Sequence, residues 1–174
     1  MKIEVAGHQI LFDESDAESV LCRTWSVVRH RHTFYAQTHV GETVKRLHVL
    51  LIPGAKIVDH RNGNGLDNRR ENLRACNHSQ NARNAKKVAT ATSKYKGVVN
   101  RWGSFYAAIW DGEKQIYLGA FKSEISAALA YDVCAERLFG EFCRLNFEAG
   151  SRACYPAELE IALDRCEKKL GESK

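Results

Sequence analysis

No stretch of the sequence approaches the ~18 consecutive apolar residues that a bilayer crossing needs, and none of its six cysteines stands in a CxxC pair or a close cluster. The first absence leaves no candidate membrane span. The second removes the basis for a zinc knuckle or a disulfide framework, so Cys22, Cys76, Cys134, Cys143, Cys154 and Cys166 are expected as reduced thiols. Cys76 and His78 are near neighbours, but no second pair accompanies them at zinc-site spacing. The N-terminal MKIEVAGHQILFDESD reaches acidic residues too early for a signal peptide. A soluble, cytoplasmic protein with no membrane contact is the expectation.

What is present is enough apolar residue for folded cores, 44% of 174 positions, in one ordinary domain or two small ones. The net charge of +5 is unevenly spread. Residues 56–101 carry eleven Lys and Arg against Asp59, Asp67 and Glu71, a local net of +8, whereas residues 1–55 balance at six and six and residues 124–174 carry seven basic against ten acidic. A basic middle between neutral and acidic flanks suits a polyanion, nucleic acid above all, although a solvated basic surface would look the same from charge alone.

Residues 2–12 and 25–52 carry short β-forming runs, with Gly41-Glu42 as a turn and Pro53-Gly54 as the stop after VKRLHVLLI. DESDAESVLCRTW between them suits a short helix capped by Ser15 or Asp16. The strand-like KIVDH is followed by a loop crowded with Asn-Gly pairs, in which Asn62, Asn64, Asp67 and Asn68 act as turn formers. The short ENLRA and a helix over NHSQNARNAKK, capped by Asn77 or Ser79, complete that segment. VATATS, residues 88–93, is the candidate linker.

Beyond it, KGVVNR, SFYAAIW and KQIYLGAF form a three-stranded antiparallel meander, and Ser123 caps an Ala-rich helix that Gly140 stops. Period-two alternation puts Phe105, Ala107 and Ile109 under that helix and Tyr106, Ala108 and Trp110 on the opposite face. Pro156 opens a last amphipathic helix with Leu159, Leu163, Cys166 and Leu170 on its apolar side.

The segment HVLLIPGAKIVDHRNGNGLDNRRENLRACNHSQNARN resembles the HNH nuclease motif in the variant whose second and third letters are asparagine. Asp59-His60 end a strand, Asn72 follows His60 by twelve residues, and Asn81 follows Asn72 by nine. The resemblance implies a ββα-metal site for phosphodiester cleavage. In it Asp59 and Asn81 bind one divalent cation, Mg²⁺ or Mn²⁺, whose taste for oxygen ligands they suit. His60 is the general base, and Asn72 holds the loop and orients His60. Arg69, Arg70 and Arg74 fall between these residues as phosphate grips, and Lys86 is a further backbone contact. His48, which stands where relatives often carry a histidine, is equally suited to a strand position satisfied by local hydrogen bonds.

Residues 93–147 resemble the plant ethylene-response-factor (APETALA-type) domain through YKGV, WGSFYAAI, YLGAF, AALAYD and RLNF in order. The resemblance implies that the sheet enters the major groove of duplex DNA, with Lys96, Arg101, Trp102, Trp110 and Tyr117 at contact positions. Val99, Ala108 and Trp110 depart from the Arg, Glu and Arg typical of the plant domains, so the base preference does not carry over.

The expected fold class is α+β. Residues 1–47 form a β-rich extension resembling that of phage- and intron-encoded HNH proteins, 48–87 the nuclease motif, 88–93 a linker, 94–148 the DNA-binding domain and 149–174 a C-terminal helix. The expected function is a homing-type DNA endonuclease that hydrolyses one or both strands, a monomer acting on double-stranded DNA without a protein partner, whose single active site favours nicking unless two chains cooperate. A DNA-binding regulator with a decayed nuclease is the alternative. A structure-specific RNA-binding protein ranks third, because the deep, narrow RNA major groove resists sheet reading.

Overall fold

A computed structural model describes residues 1–85 and 92–171, so Lys86 and most of the expected linker lie outside the described residues. The fold is α+β, with antiparallel sheets and separate helices. The chain divides into two compact units, residues 1–82 and 83–174. None of the described helices is long and apolar enough to cross a membrane.

In the first unit, β1 (Lys2–Val5) and β2 (His8–Leu11) form a hairpin whose two-residue turn, Ala6-Gly7, takes positive φ at both positions, as the right-handed twist of paired strands demands. A short α1 (Ala17–Leu21) follows a turn of 3-10 helix at Glu14–Asp16. Asp16 stands at its N-cap position, but makes no capping bond, because its carboxylate is engaged by Arg70. β3 (Ser26–His30), β4 (Thr33–Val40) and β5 (Thr43–Arg46) then pair in sequence order.

The expected strand through VKRLHVLLI ends early. Its second half is a helix, α2 (Leu47–Leu51), that buries Leu47, His48 and Leu51 while Val49 stays 39% exposed. A strand would have buried 47, 49 and 51 together; burial at 47, 48 and 51 follows the helical period. β6 (Ile57–His60), β7 (Leu73–Cys76) and α3 (His78–Arg83) complete the ββα order. Asn77 caps α3 in a reciprocal pair: Gln80 N donates to Asn77 Oδ1 and Asn77 N to Gln80 Oε1, both 2.8 Å, a capping box with amides in both roles. Ile10, Phe12, Val20, Leu47 and Leu51 centre the core of this unit, each at most 3% exposed.

In the second unit, β8 (Val98–Arg101), β9 (Ser104–Trp110) and β10 (Gln115–Phe121) form the meander, with β9 in the middle. α4 (Glu124–Phe139) lies on it; Ser123 Oγ accepts from Ser126 N at its start and Gly140 ends it at positive φ. Ala127, Ala128, Ala130 and Ala135 are fully buried, since methyl groups let helix and sheet approach closely. Gly97 serves the same close approach, because a Cβ there would lie 1.9 Å from the Tyr131 ring. Asp132, fully buried on α4, accepts from Asn146 N, Asn146 Nδ2 and Phe147 N, and Asn146 in turn bonds both N and O of Lys96. That network ties the chain after α4 to the start of the sheet. After a short α5 (Ala149–Arg152), α6 (Pro156–Gly171) packs on α4. Its buried face is Leu159, Ala162, Cys166 and Leu170; Leu163, expected there, is 39% exposed, the smaller Ala162 taking the inward position at the helix crossing.

Candidate active site

β6 and β7 pair antiparallel with Asp59 opposite Arg74 and His60 opposite Leu73, so residues 61–72 leave and return as one loop. Two Asx turns shape its tip: Asn64 N donates to Asn62 Oδ1 (2.8 Å) and Leu66 N to Asn64 Oδ1 (3.1 Å). Asn72 ties the loop together. Its Oδ1 accepts from Asn62 N (3.0 Å), its Nδ2 donates to Asp67 O (2.7 Å) and its carbonyl accepts from Arg61 N (2.9 Å).

The rest of the first unit fixes the loop from three sides. Leu11 N donates to Leu66 O (2.9 Å) and Asn68 N to Leu11 O (2.8 Å), extending β2. Gly65 N donates to Thr33 Oγ1 (2.9 Å) at the start of β4. The acidic DESD segment supplies the third anchor: Asp13 accepts from Arg70 N (2.6 Å), and both oxygens of Asp16 receive the Arg70 guanidinium (3.0 and 2.6 Å).

Asp59, His60 and Asn81 line one cavity of about 280 Å³, with His30, Tyr35, Arg46, His48 and Lys56 among the other walls. His60 is buried, and its Nε2 stands 3.3 Å from Asn68 Oδ1. An amide oxygen only accepts, so this contact selects the Nε2–H tautomer and makes Nδ1 the basic nitrogen. Burial lowers the His60 pKa, against the opposing pull of the Asn68 bond and the charges of Asp59 and Asp67. The ring is therefore neutral at pH 7. His48 stands 4.8 Å from His60, ring to ring, and burial, reinforced by the charges of His60 and Arg46, pushes it down to about 3.

Arg69 and Arg70 of the loop and Arg74 of β7 are held by carboxylates. Arg69 pairs with Asp67 and Glu71, and its hydrogen bond is the main reason the Asp67 carboxyl titrates low. Arg70 pairs with Asp16. Arg74, buried, gives Nε and Nη2 to Asp59 Oδ2 at 3.0 and 2.7 Å, a buried, charge-assisted pair.

Among the described residues no group of three or more His, Cys, Asp or Glu is placed to hold a metal. The oxygen-bearing side chains on the cavity wall are the Asp59 carboxylate, the Asn81 amide and the Tyr35 hydroxyl. One carboxylate and one amide fit a hard cation that keeps most of its waters, and not a closed zinc site. His48 Nδ1 is buried with no hydrogen-bond partner among the described residues. Such an orphan costs about 1–3 kcal/mol unless something fills it, which suits a site that takes up a ligand or water.

On the second unit, Arg101, Trp102, Trp110 and Tyr117 are exposed, the tryptophans by 90% and 60%. Trp102, at positive φ, and Gly103 make the tight turn from β8 to β9. Tyr106 and Tyr117 stack at 6.3 Å on the open face, while Ala107, Ile109, Ile116 and Leu118 are buried beneath. Lys96 stands apart from the other expected contacts. Its Nζ donates to the carbonyls of Arg83 and Ala85, and burial pushes its pKa down to about 8.

Four side chains at the first unit's site were not assigned to it from sequence. His48 belongs to a segment whose period suggested a strand, and Asn68 reads as one more turn former in an Asn-rich loop. Tyr35 and Arg46, on β4 and β5, carry no spacing signal.

A family model described as "HNH endonuclease" matches residues 51–83. Curated relatives include the dehydration-responsive element-binding protein 2C of Arabidopsis thaliana, 46% identical over 55 residues, covering 30% of this chain and 16% of that protein. The ethylene-responsive transcription factor WRI1 of Arabidopsis thaliana is 41% identical over 81 residues, covering 40% and 18%. An AP2/ERF and B3 domain-containing protein of Oryza sativa subsp. japonica is 41% identical over 70 residues, covering 38% and 18%. The chain spans less than a fifth of the length of these relatives. One chain thus contains a segment similar to HNH endonucleases and a stretch similar to plant AP2/ERF transcription factors.

Proposed function

We propose that this protein is a site-specific DNA endonuclease of the homing HNH type, which hydrolyses phosphodiester bonds at the cavity of the first unit and holds duplex DNA on the open sheet face of the second. The observation that carries the proposal is the convergence of Asp59, His60 and Asn81 on one cavity, from the end of β6 and from α3, with Asn72 pinning the loop between.

His60 is neutral at pH 7 and takes a proton from the attacking water at Nδ1, while Asn68 Oδ1 holds Nε2–H. The new P–O bond to water forms as the bond to the sugar oxygen breaks, and the departing oxygen is protonated from solvent. The nearby Asp59 and Asp67 charges favour the imidazolium as it forms. Asp59 and Asn81 would hold one Mg²⁺ or Mn²⁺, which when bound supplies positive charge to the phosphate and the leaving oxygen. Asn72 keeps the loop, and through it Asn68, in register. Trp102, Trp110, Tyr117 and Arg101 make the duplex contacts. In this proposal residues 48–87 form the nuclease and 94–148 the DNA-binding element of a monomeric, intracellular protein.

A second function, DNA-binding regulation without cleavage, is favoured by the transcription-factor names of the curated relatives and by the Arg74 guanidinium on Asp59. Incubating the full chain with supercoiled plasmid separates the two. Conversion to nicked circles with Mg²⁺ or Mn²⁺, abolished by chelator, is expected of the nuclease; binding without conversion under any divalent cation is the regulator's result.

A further inference from the structure

The cavity contains a cation that neither the motif spacing nor the basic loop pointed to. Arg46 closes β5 and lines the cavity with His48, Asp59 and His60. Its guanidinium carbon lies 4.5 Å from the centre of the Tyr35 ring. Tyr35 in turn stands 5.3 Å from His48 and 5.8 Å from His60, ring to ring. Arg46 makes no ion pair with a carboxylate among the described residues, whereas Arg69, Arg70 and Arg74 are all so engaged.

We infer that Arg46 receives the phosphate to be cut, donating from its guanidinium edge to the non-bridging oxygens. The inference rests on the nuclease function proposed above. Stacking occupies the face of a guanidinium and leaves its in-plane N–H donors directed outward, in the fork that matches two phosphate oxygens. The Tyr35 plate fixes that fork beside His48 and His60, so little reorganisation is needed when negative charge builds on the phosphoryl oxygens. The wall charges agree: Arg46 and Lys56 are cationic, and the Asp59 carboxylate already carries Arg74. Arg69 and Arg70 instead brace the loop that follows His60, and Arg74 joins β7 to Asp59 on β6.

The test uses the full chain with Arg46→Lys, which keeps charge without the fork, and Arg46→Gln, which removes the charge. With plasmid and Mn²⁺, both variants are expected to lose roughly a hundredfold in kcat, the scale for removing a preorganised donor, with KM within about threefold because other contacts carry most duplex affinity. A second readout needs no turnover. In wild type the Arg46 Nε–H NMR resonance should shift on addition of a thymidine dinucleotide, and should stay in place with the neutral methylphosphonate analogue. Kcat of both variants within twofold of wild type would overturn the inference while leaving the nuclease intact, and an Nε–H signal indifferent to the dinucleotide would overturn it on the binding side. If wild type cuts nothing, the nuclease proposal fails and the NMR titration alone decides whether Arg46 binds a phosphodiester.

Discussion

Gly65→Ala should be far more damaging than its chemistry suggests. Gly65 does not adopt positive φ, so alanine meets no backbone strain; the obstacle is space. A Cβ there would lie 2.4 Å from the carbonyl oxygen of Phe34 and 2.7 Å from Cδ1 and Cε1 of Tyr35. The carbonyl belongs to the start of β4, where Phe34 pairs with Arg29 of β3, and gives way only if that strand pair or the loop moves. Overpacking of this kind costs about 1–3 kcal/mol, and backbone against backbone puts it at the upper end. In a unit the size of residues 1–82, each kcal/mol lowers Tm by about 4–8 °C, so a fall of roughly 12–24 °C is expected. Tryptophan fluorescence can follow this unit within the full chain, because Trp25 is buried while Trp102 and Trp110 are already exposed. Gly54→Ala is the control: φ is +86° but nothing lies within 4 Å, so its cost is the left-handed penalty of about 1–2 kcal/mol. Cleavage by Gly65→Ala should fall at least tenfold even below its Tm, since a loop pushed off β4 carries Asn68 away from His60. Unfolding of Gly65→Ala within 2 °C of wild type, or no earlier than Gly54→Ala, would refute the close docking of the loop.

Asn68→Leu keeps the volume but removes the acceptor of His60 Nε2–H, so kcat should drop about tenfold or more with duplex affinity unchanged; equal kcat would release Asn68 from any role at His60. Because burial lowers the His60 pKa, its basic form persists on acidification, and the acid limb of the cleavage profile should lie below the ordinary histidine value of about 6.5. His48 and His60 are lowered in the folded state, so the unfolded chain takes up protons first. Stability of the first unit is therefore complete above about pH 6.5 and declines below it, by up to about 1.4 kcal/mol per pH unit for each group; urea midpoints at pH 7 and pH 5 check the sign. Trp110→Ala and Tyr117→Ala, on the exposed face, should change stability by no more than about 0.5 kcal/mol yet weaken duplex binding about tenfold. The reverse pattern would make them packing residues.

The loop-and-helix grammar of the HNH-like segment was legible because it is local. An Asn-Gly-rich loop, a strand on either side and a capped helix set the positions of Asp59, His60, Asn72 and Asn81 through short-range backbone chemistry, and three of the four line the cavity. The sheet of the second unit was legible for the same reason: alternation along SFYAAIW separates buried Ala107 and Ile109 from exposed Trp110. What was hidden is tertiary. LHVLL is too short for its period to choose between strand and helix, and the choice was made by burial of Leu47, His48 and Leu51. The acidic DESD segment proved to be the anchor for Arg70, a contact spanning 54 residues that no window contains. Three arginines that read as phosphate grips are paired with acids from β6, the loop and the DESD segment, and Arg46, a cavity cation with no carboxylate partner among the described residues, sits in a strand without a motif.

Everything proposed for the first unit converges on His60, so the decisive measurement compares His60→Ala with wild type on the same plasmid, scoring nicking and duplex affinity together in Mg²⁺ or Mn²⁺. Loss of roughly a hundredfold or more in nicking rate, the usual scale for a general base, with duplex affinity within about twofold, is the expected result. Undiminished nicking by a clean His60→Ala preparation would contradict the assignment of His60 and, with it, the cavity as the place of cleavage.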